Sequence, residues 1–238
     1  VCGRITLSYA DAIKLADELG VPVESLPEEF QPENYKPAVN IAPTNLHIVV
    51  TTEGEDRTVH VARWGLIPHW AKDAKMAYKT INARVETVDT SPAFRSAFKK
   101  HRCLVPVDGF YEWKGAKGDR QPYWFHRPDG SLLYFAGLFE SWQPPEKDAR
   151  ETTFTIITTS ANDYMSRIHD RMPVILESED VQDHWLFAGE QDPAKLKPLL
   201  RPASEDFLVA RPVSQEVNNV KNKEPWLLDE VVLDEPAY

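Results

Sequence analysis

Between Arg102 and Thr159 the chain offers five β-rich runs in close succession: 102–107, 110–114, 121–127, 132–142 and 152–159. GAKGD, PDG and a polar PPEKDARE stretch stand between them. Connections this short join neighbouring strands antiparallel, because a parallel crossover needs a dozen or more residues. Two further runs, Leu46 to Thr51 and Thr58 to Leu66, flank the turn EGED. Nineteen prolines against ten glycines, many beside apolar runs, fit strands joined by stiff loops better than a helical bundle.

Helical periodicity is confined to short pieces. Ser8 to Gly20 reads as a helix with Ser8 as N-cap, an apolar stripe at Ala12, Leu15, Ala16 and Leu19, and Gly20 as its end. Ser91-Pro92 opens a second helix through Lys100, Ser178 caps a third to about Phe187, and Pro193 starts a fourth ending near Leu200. Residues 21–38 read as an irregular loop. Strands and helices do not alternate, so the expectation is α+β with mainly antiparallel sheet, not a doubly wound α/β fold. No linker divides the strand-rich middle. The expected organisation is one domain over 1–238, with an acidic tail from about Glu224 that frays.

Charge and cysteine content narrow the function classes. The 238 residues carry a net charge of −10, which argues against a protein that coats nucleic acid non-specifically but leaves room for a local basic groove. Two cysteines, Cys2 and Cys103, make neither a disulfide scaffold nor a Cys-rich zinc site. The scattered histidines have no metal-ligand spacing, and neither a Gly-rich phosphate loop nor GxSxG is present. No metal and no cofactor are expected. No apolar run approaches bilayer length, and the first residues lack the build of a secretory signal, so a reducing, non-secretory compartment is expected. For the oligomeric state, which the residues leave open, a monomer is the simpler expectation.

Five segments could carry chemistry or binding. Cys2, once residue 1 is removed, would hold an amine and a thiol on adjacent carbons; such an aminothiol condenses with an aldehyde to an imine and closes to a thiazolidine. The alternative is a small apolar residue starting a strand. Glu112, within Gly109-Phe110-Tyr111-Glu112-Trp113, falls on the same strand face as Phe110. It is either a desolvated proton donor or a solvent-facing carboxylate on an edge strand. His169-Asp170-Arg171 offers a proton shuttle and a phosphate fork, or a hydrogen-bonded histidine beside a surface ion pair. Asn82-Ala83-Arg84-Val85-Glu86 offers an amide and a further phosphate ligand, a weak signal alone. The aromatic run Trp64 to Trp70, beside Arg63, Lys72 and Lys75, suits stacking of unpaired bases or simply supplies core tryptophans.

Taken in order, Cys2-Gly3-Arg4, Asn40 to Thr44, Trp64 to Ala71, Asn82 to Thr87, Arg102 to Trp113, Phe135 to Glu140, Thr153 to Asn162 and His169 to Leu176 resemble the SRAP (SOS-response-associated peptidase) family of abasic-site processing proteins. The resemblance covers nearly the whole chain. It implies a compact, barrel-like α+β domain with peripheral helices and a positively charged groove for single-stranded DNA and single-strand/double-strand junctions. By resemblance, Cys2 is the nucleophile that traps an abasic aldehyde, Glu112 the acid–base residue, His169 its proton-transfer partner, and Asn82 the amide that orients the adduct. Arg4, Arg84 and Arg171 resemble phosphate ligands; Asn40, Pro43, Trp64 and Trp70 resemble parts of the DNA groove. The resemblance also implies a nucleoid or nuclear place of action. Position 1 is Val, where the family normally begins with Met. Two other readings stay open on the residues: an N-terminal-nucleophile amidohydrolase or peptidase, and a non-catalytic single-stranded DNA-binding module.

Overall fold

The computed structural model describes residues 2–116, 118–146, 148–187 and 192–233. The strands are β1 (Ile5–Leu7), β2 (Ala38–Ile41), β3 (Leu46–Glu53), β4 (Asp56–Trp64), β5 (Asn82–Arg84), β6 (Arg102–Val107), β7 (Gly109–Lys114), β8 (Gln121–His126), β9 (Leu133–Trp142), β10 (Glu151–Ser160), β11 (Arg171–Pro173) and β12 (Val209–Pro212). The helices are α1 (Ala12–Leu19), α2 (Arg95–Lys100), α3 (Asp163–Ser166), α4 (Glu179–Phe187) and α5 (Pro193–Leu196).

Hairpin β3–β4 is paired without interruption from Leu46 opposite Arg63 to Glu53 opposite Asp56. β3 pairs β6, β6 pairs β9 and β9 pairs β10, all antiparallel. β10 then runs parallel to β4 at Thr153–Arg63 and Phe154–Trp64, which closes five strands into a barrel. Among the described residues, closure leaves the barrel itself no long free edge to pair with another chain. A second sheet, ordered β12-β8-β7-β1-β2, packs beside it. The expected α+β, mainly antiparallel architecture is the one observed.

Phe110 joins the two sheets. Its ring lies 5.1 Å from that of Phe125 on its own sheet and 5.6 Å, edge-on, from that of Phe135 in the barrel. All three are fully buried, each contributing roughly 2–3 kcal/mol of transfer free energy.

Where the local expectations fail, competing polar groups explain it. Helix α1 is capped by Asp11, whose Oδ1 accepts from the Lys14 N–H at 2.8 Å, not by Ser8. Ser8 is drawn instead to the buried Asp108, donating from its N–H and its hydroxyl to Oδ2 at 2.5 Å each. The Ser91-Pro92 helix becomes regular only at Arg95, because Ser91 O first accepts from the amides of both Phe94 and Arg95. The segment after Glu224, expected to fray, is held through Val231: Leu227 is fully buried and the Val231 N–H donates to Pro212 O at 2.9 Å. The rest of that expected tail, 234–238, lies outside the described residues.

Candidate functional site

The N-terminal strand delivers Cys2 to Glu112. β1 pairs antiparallel with β7 at Ile5–Phe110 and Thr6–Gly109, and the Tyr111 N–H extends the ladder by donating to Arg4 O at 3.0 Å. The first residues therefore run back along the end of β7. Strand alternation puts Glu112 on the Phe110 side, away from Tyr111 and Trp113, and it is only 2% exposed. Its carboxylate accepts from the backbone N–H groups of Trp113 and Cys2. Burial outweighs those bonds and pushes the Glu112 carboxyl up to about 7. The Cys2 side chain is fully buried. Burial first, and the Glu112 charge second, push its thiol above the ordinary range.

His169 completes this group. It follows α3, whose Asn162 cap accepts from the Met165 N–H at 2.9 Å, and its own N–H donates to Met165 O at 3.0 Å. Its Nε2 stands 3.9 Å from Glu112 Oε2. Its Nδ1 accepts from the Arg171 N–H at 3.0 Å. Asp170 Oδ1 is 3.1 Å from the same nitrogen, but that carboxylate is 89% exposed, so the backbone donor governs the tautomer. Partial burial lowers the His169 pKa and favours the neutral ring.

A second group gathers along the end of β10. β5 pairs parallel to it, with Asn82 opposite Ile156 and Arg84 opposite Thr158; β11 pairs on the other edge, with Arg171 opposite Ser160. Asn82 Nδ2 is buried without a hydrogen-bond partner, a donor held in reserve. Arg84 is exposed. Arg171 grips both carboxylate oxygens of Glu86 and donates to Thr158 O at 2.8 Å. That bond holds the Glu86 carboxyl below its usual range. The Arg171 N–H on His169 links the two groups.

The remaining expected DNA-binding residues lie elsewhere. Arg4 donates to Asn40 Oδ1 at 2.6 Å and to Val217 O at 2.7 Å, and its guanidinium sits 5.7 Å from the Trp113 ring. Asn40 is fully buried, its Nδ2 serving the carbonyls of Val217, Asn219 and Asn222 at 3.2, 3.1 and 2.9 Å. Trp64 is fully buried, stacked 6.2 Å from Phe154 and donating from Nε1 to Ile81 O at 2.9 Å. Pro43 is half-buried, ahead of Thr44, whose φ of 75° is unusual for a β-branched residue. Trp70 is 52% exposed and borders a cleft with His69, Arg95 and Lys99. One residue was missed. Arg120 lines a polar cleft with Arg4 and Trp113, and its charge acts on His169. Its only signal in the sequence is a basic residue closing the GAKGD turn.

Residues 69–100 carry seven basic and three acidic side chains, a net +4 against −14 for the rest of the chain. Among the described residues no cluster of three or more His, Cys, Asp or Glu could hold a metal ion, and no helix is long and apolar enough to cross a membrane.

The family model described as SOS response associated peptidase (SRAP) matches residues 1–220. The chain is 39% identical over 231 residues to the abasic site processing protein YoqW of Bacillus subtilis, covering 96% of this chain and 99% of that one. It is 32% identical over 240 residues to the abasic site processing protein HMCES of Gallus gallus, covering 88% and 71%. A crystal structure of a Bacteroides thetaiotaomicron protein matches with a TM-score of 0.83 at 26% identity, covering 97% of this chain and all of that one. With a family match that runs from the Cys2 segment through β12, and with its fold repeated in that solved relative, this chain belongs to the SRAP family.

Proposed function

We propose that this protein processes abasic sites in single-stranded DNA and at strand junctions by trapping the ring-opened sugar as a thiazolidine on Cys2. The observation that carries the reading is the contiguity of Cys2, Glu112 and His169: the carboxylate accepts from the Cys2 nitrogen and faces His169 Nε2.

The chemistry follows from those atoms. Freed of the preceding residue, the Cys2 amine adds to the C1′ aldehyde to give a carbinolamine. Protonated Glu112 delivers a proton to the departing hydroxyl, which leaves as water, and a protonated imine remains. The thiol then adds to the iminium carbon and gives its proton to ionised Glu112, which returns to its acid form. Aldehyde and aminothiol have become thiazolidine and water. A carboxyl poised near pH 7 can serve in both directions. His169, neutral and with its proton on Nε2, points that N–H at the Glu112 carboxylate and steadies the ionised form the proton transfers create. Asn82 offers its unpartnered Nδ2–H to an oxygen of the trapped sugar. Arg84, Arg120 and the basic 69–100 segment supply the phosphate contacts, which reconciles DNA binding with an acidic chain. Consuming the aldehyde blocks strand cleavage by β-elimination.

The test is a denaturing gel and intact mass of protein freed of residue 1 after incubation with an abasic single strand. A denaturation-resistant adduct, lacking one water relative to the sum of its parts, is expected. With a residue still attached ahead of Cys2 the nitrogen is an amide, and no adduct is expected. Adduct formation by that blocked form, or none by the processed one, overturns the reading.

A further inference from the structure

Large exposed aromatic side chains are uncommon on this protein, yet Trp70 and Tyr78 lie eight positions apart on the segment joining β4 to β5. Trp70 is among the residues that resemble parts of the family's DNA groove. Tyr78 is not, and it is the more exposed, at 71%.

The segment presenting it is anchored. Tyr78 sits on the 3₁₀ helix Ala74–Lys79, capped by Asp73, whose side chain accepts from the Lys75 N–H at 2.8 Å. At the other end the Thr80 hydroxyl donates to Leu66 O at 2.6 Å and to Met76 O at 2.8 Å. Between these ties, Ala77 is buried in a cluster with Ile67, Ala71 and Trp142. Gly65 makes the docking possible. Its φ is +119°, and a Cβ there would fall 2.6 Å from Ala77 O. The exposure of Tyr78 is therefore set by a fixed mount.

Its surroundings specify a ligand. In a helix of three residues per turn, side chains three apart eclipse, so exposed Lys75 and Tyr78 share one face. A flat aromatic beside an ammonium group matches one nucleotide unit, a base with its phosphate. The pair lies in the net-positive stretch, four residues before Asn82.

We infer that Tyr78 is a base-stacking residue for the single strand flanking the lesion, with Lys75 meeting the adjoining phosphate. The inference rests on the DNA reading above. Stacking is sequence-tolerant because every base has a π-face, which suits a protein that must accept a lesion in any context.

The experiment measures equilibrium binding of a lesion-bearing single strand, with the lesion stabilised as a tetrahydrofuran analogue that cannot crosslink. Tyr78→Ala is expected to weaken binding about fivefold or more, and Tyr78→Phe to restore it, since the ring and not the hydroxyl does the stacking. Further strands lack one base at each position flanking the lesion in turn. At one position, deleting the base should weaken parent binding and leave Tyr78→Ala unaffected, because the stacking partner is already gone. A purely structural role would give additive losses at every position. Additive losses throughout, or binding by Tyr78→Ala equal to the parent, overturn the inference. Gly65→Ala, which pushes on the mount, should mimic Tyr78→Ala with the ring intact. A parent that forms no adduct with a true abasic strand would sink the DNA reading separately, as a different measurement.

Discussion

The Arg171 N–H donates to His169 Nδ1 at 3.0 Å, and this one bond decides which nitrogen of the ring faces Glu112. With Nδ1 occupied as an acceptor, the neutral ring carries its proton on Nε2, 3.9 Å from the carboxylate. The donor is backbone, so replacing the Arg171 side chain does not remove it. A group that grips Glu86 thereby also sets a tautomer.

Glu112 gives a pH signature to adduct formation. Its carboxyl is pushed up to about 7, so the acid form needed to expel water is depleted as pH rises past that value. The adduct rate is expected to fall on the alkaline side with an apparent pKa near 7. Glu112→Gln should slow the reaction by roughly 10²-fold and abolish that limb. Single-turnover rates across pH check it; a variant as fast as the parent removes Glu112 from the chemistry.

The same shift is a stability statement. Unfolded, the carboxyl titrates near 4.5; folded, near 7. The folded state therefore binds the extra proton between those values, and the stability this contributes, full below 4.5, is lost as pH rises through 7. Glu112→Gln escapes the penalty. At pH 8 its Tm should exceed the parent's by about 3 °C or more, with the gap closing towards pH 5. Thermal unfolding at the two pH values decides; a constant gap would contradict the linkage.

Asn40 is a structural clamp. Asn40→Ala strips the donor serving three loop carbonyls and the acceptor holding Arg4, at a cost of about 2–3 kcal/mol. Urea unfolding should register that loss. The salt dependence of DNA binding should not change, since a buried amide releases no counterions. A flatter slope would instead assign it a phosphate contact.

Arg84 is predicted to behave in the opposite way. Its exposed guanidinium leads to weaker binding by Arg84→Ala and a salt slope shallower by about 0.7 for a single strand, with unfolding little affected. Titrations at several salt concentrations measure it, and an unaltered slope would rule the contact out.

Long elements were legible because each satisfies a local rule that tertiary structure reinforces. β6 to β10 match their expected runs closely, and the turns GAKGD and PPEKDARE do join antiparallel neighbours. But β8 and β9, connected through PDG, lie in different sheets, because a turn sequence cannot tell a hairpin from a crossing between sheets. Strands β1, β5, β11 and β12 have only three or four residues, too few for a period to register, and their pairing partners lie far away in sequence. These short strands build the candidate site, so Cys2, Asn82 and Arg171 could be nominated but not placed. Alternation correctly put Glu112 with Phe110, while the choice between core and solvent for that face needed the second sheet. Asn40 and Trp64 read as groove residues because an amide and an indole carry the same chemistry whether they meet DNA or a buried carbonyl.

The pairing of Ile5 with Phe110 makes the stretch ahead of it a ruler. Side chains alternate with every step along an extended backbone, so inserting or deleting one residue between Cys2 and Ile5 would turn the sulfur to the opposite side of the sheet. The spacing of the first five residues is thus as binding as their identity, and a chain lengthened by one there would keep its fold while aiming its nucleophile away from its proton donor.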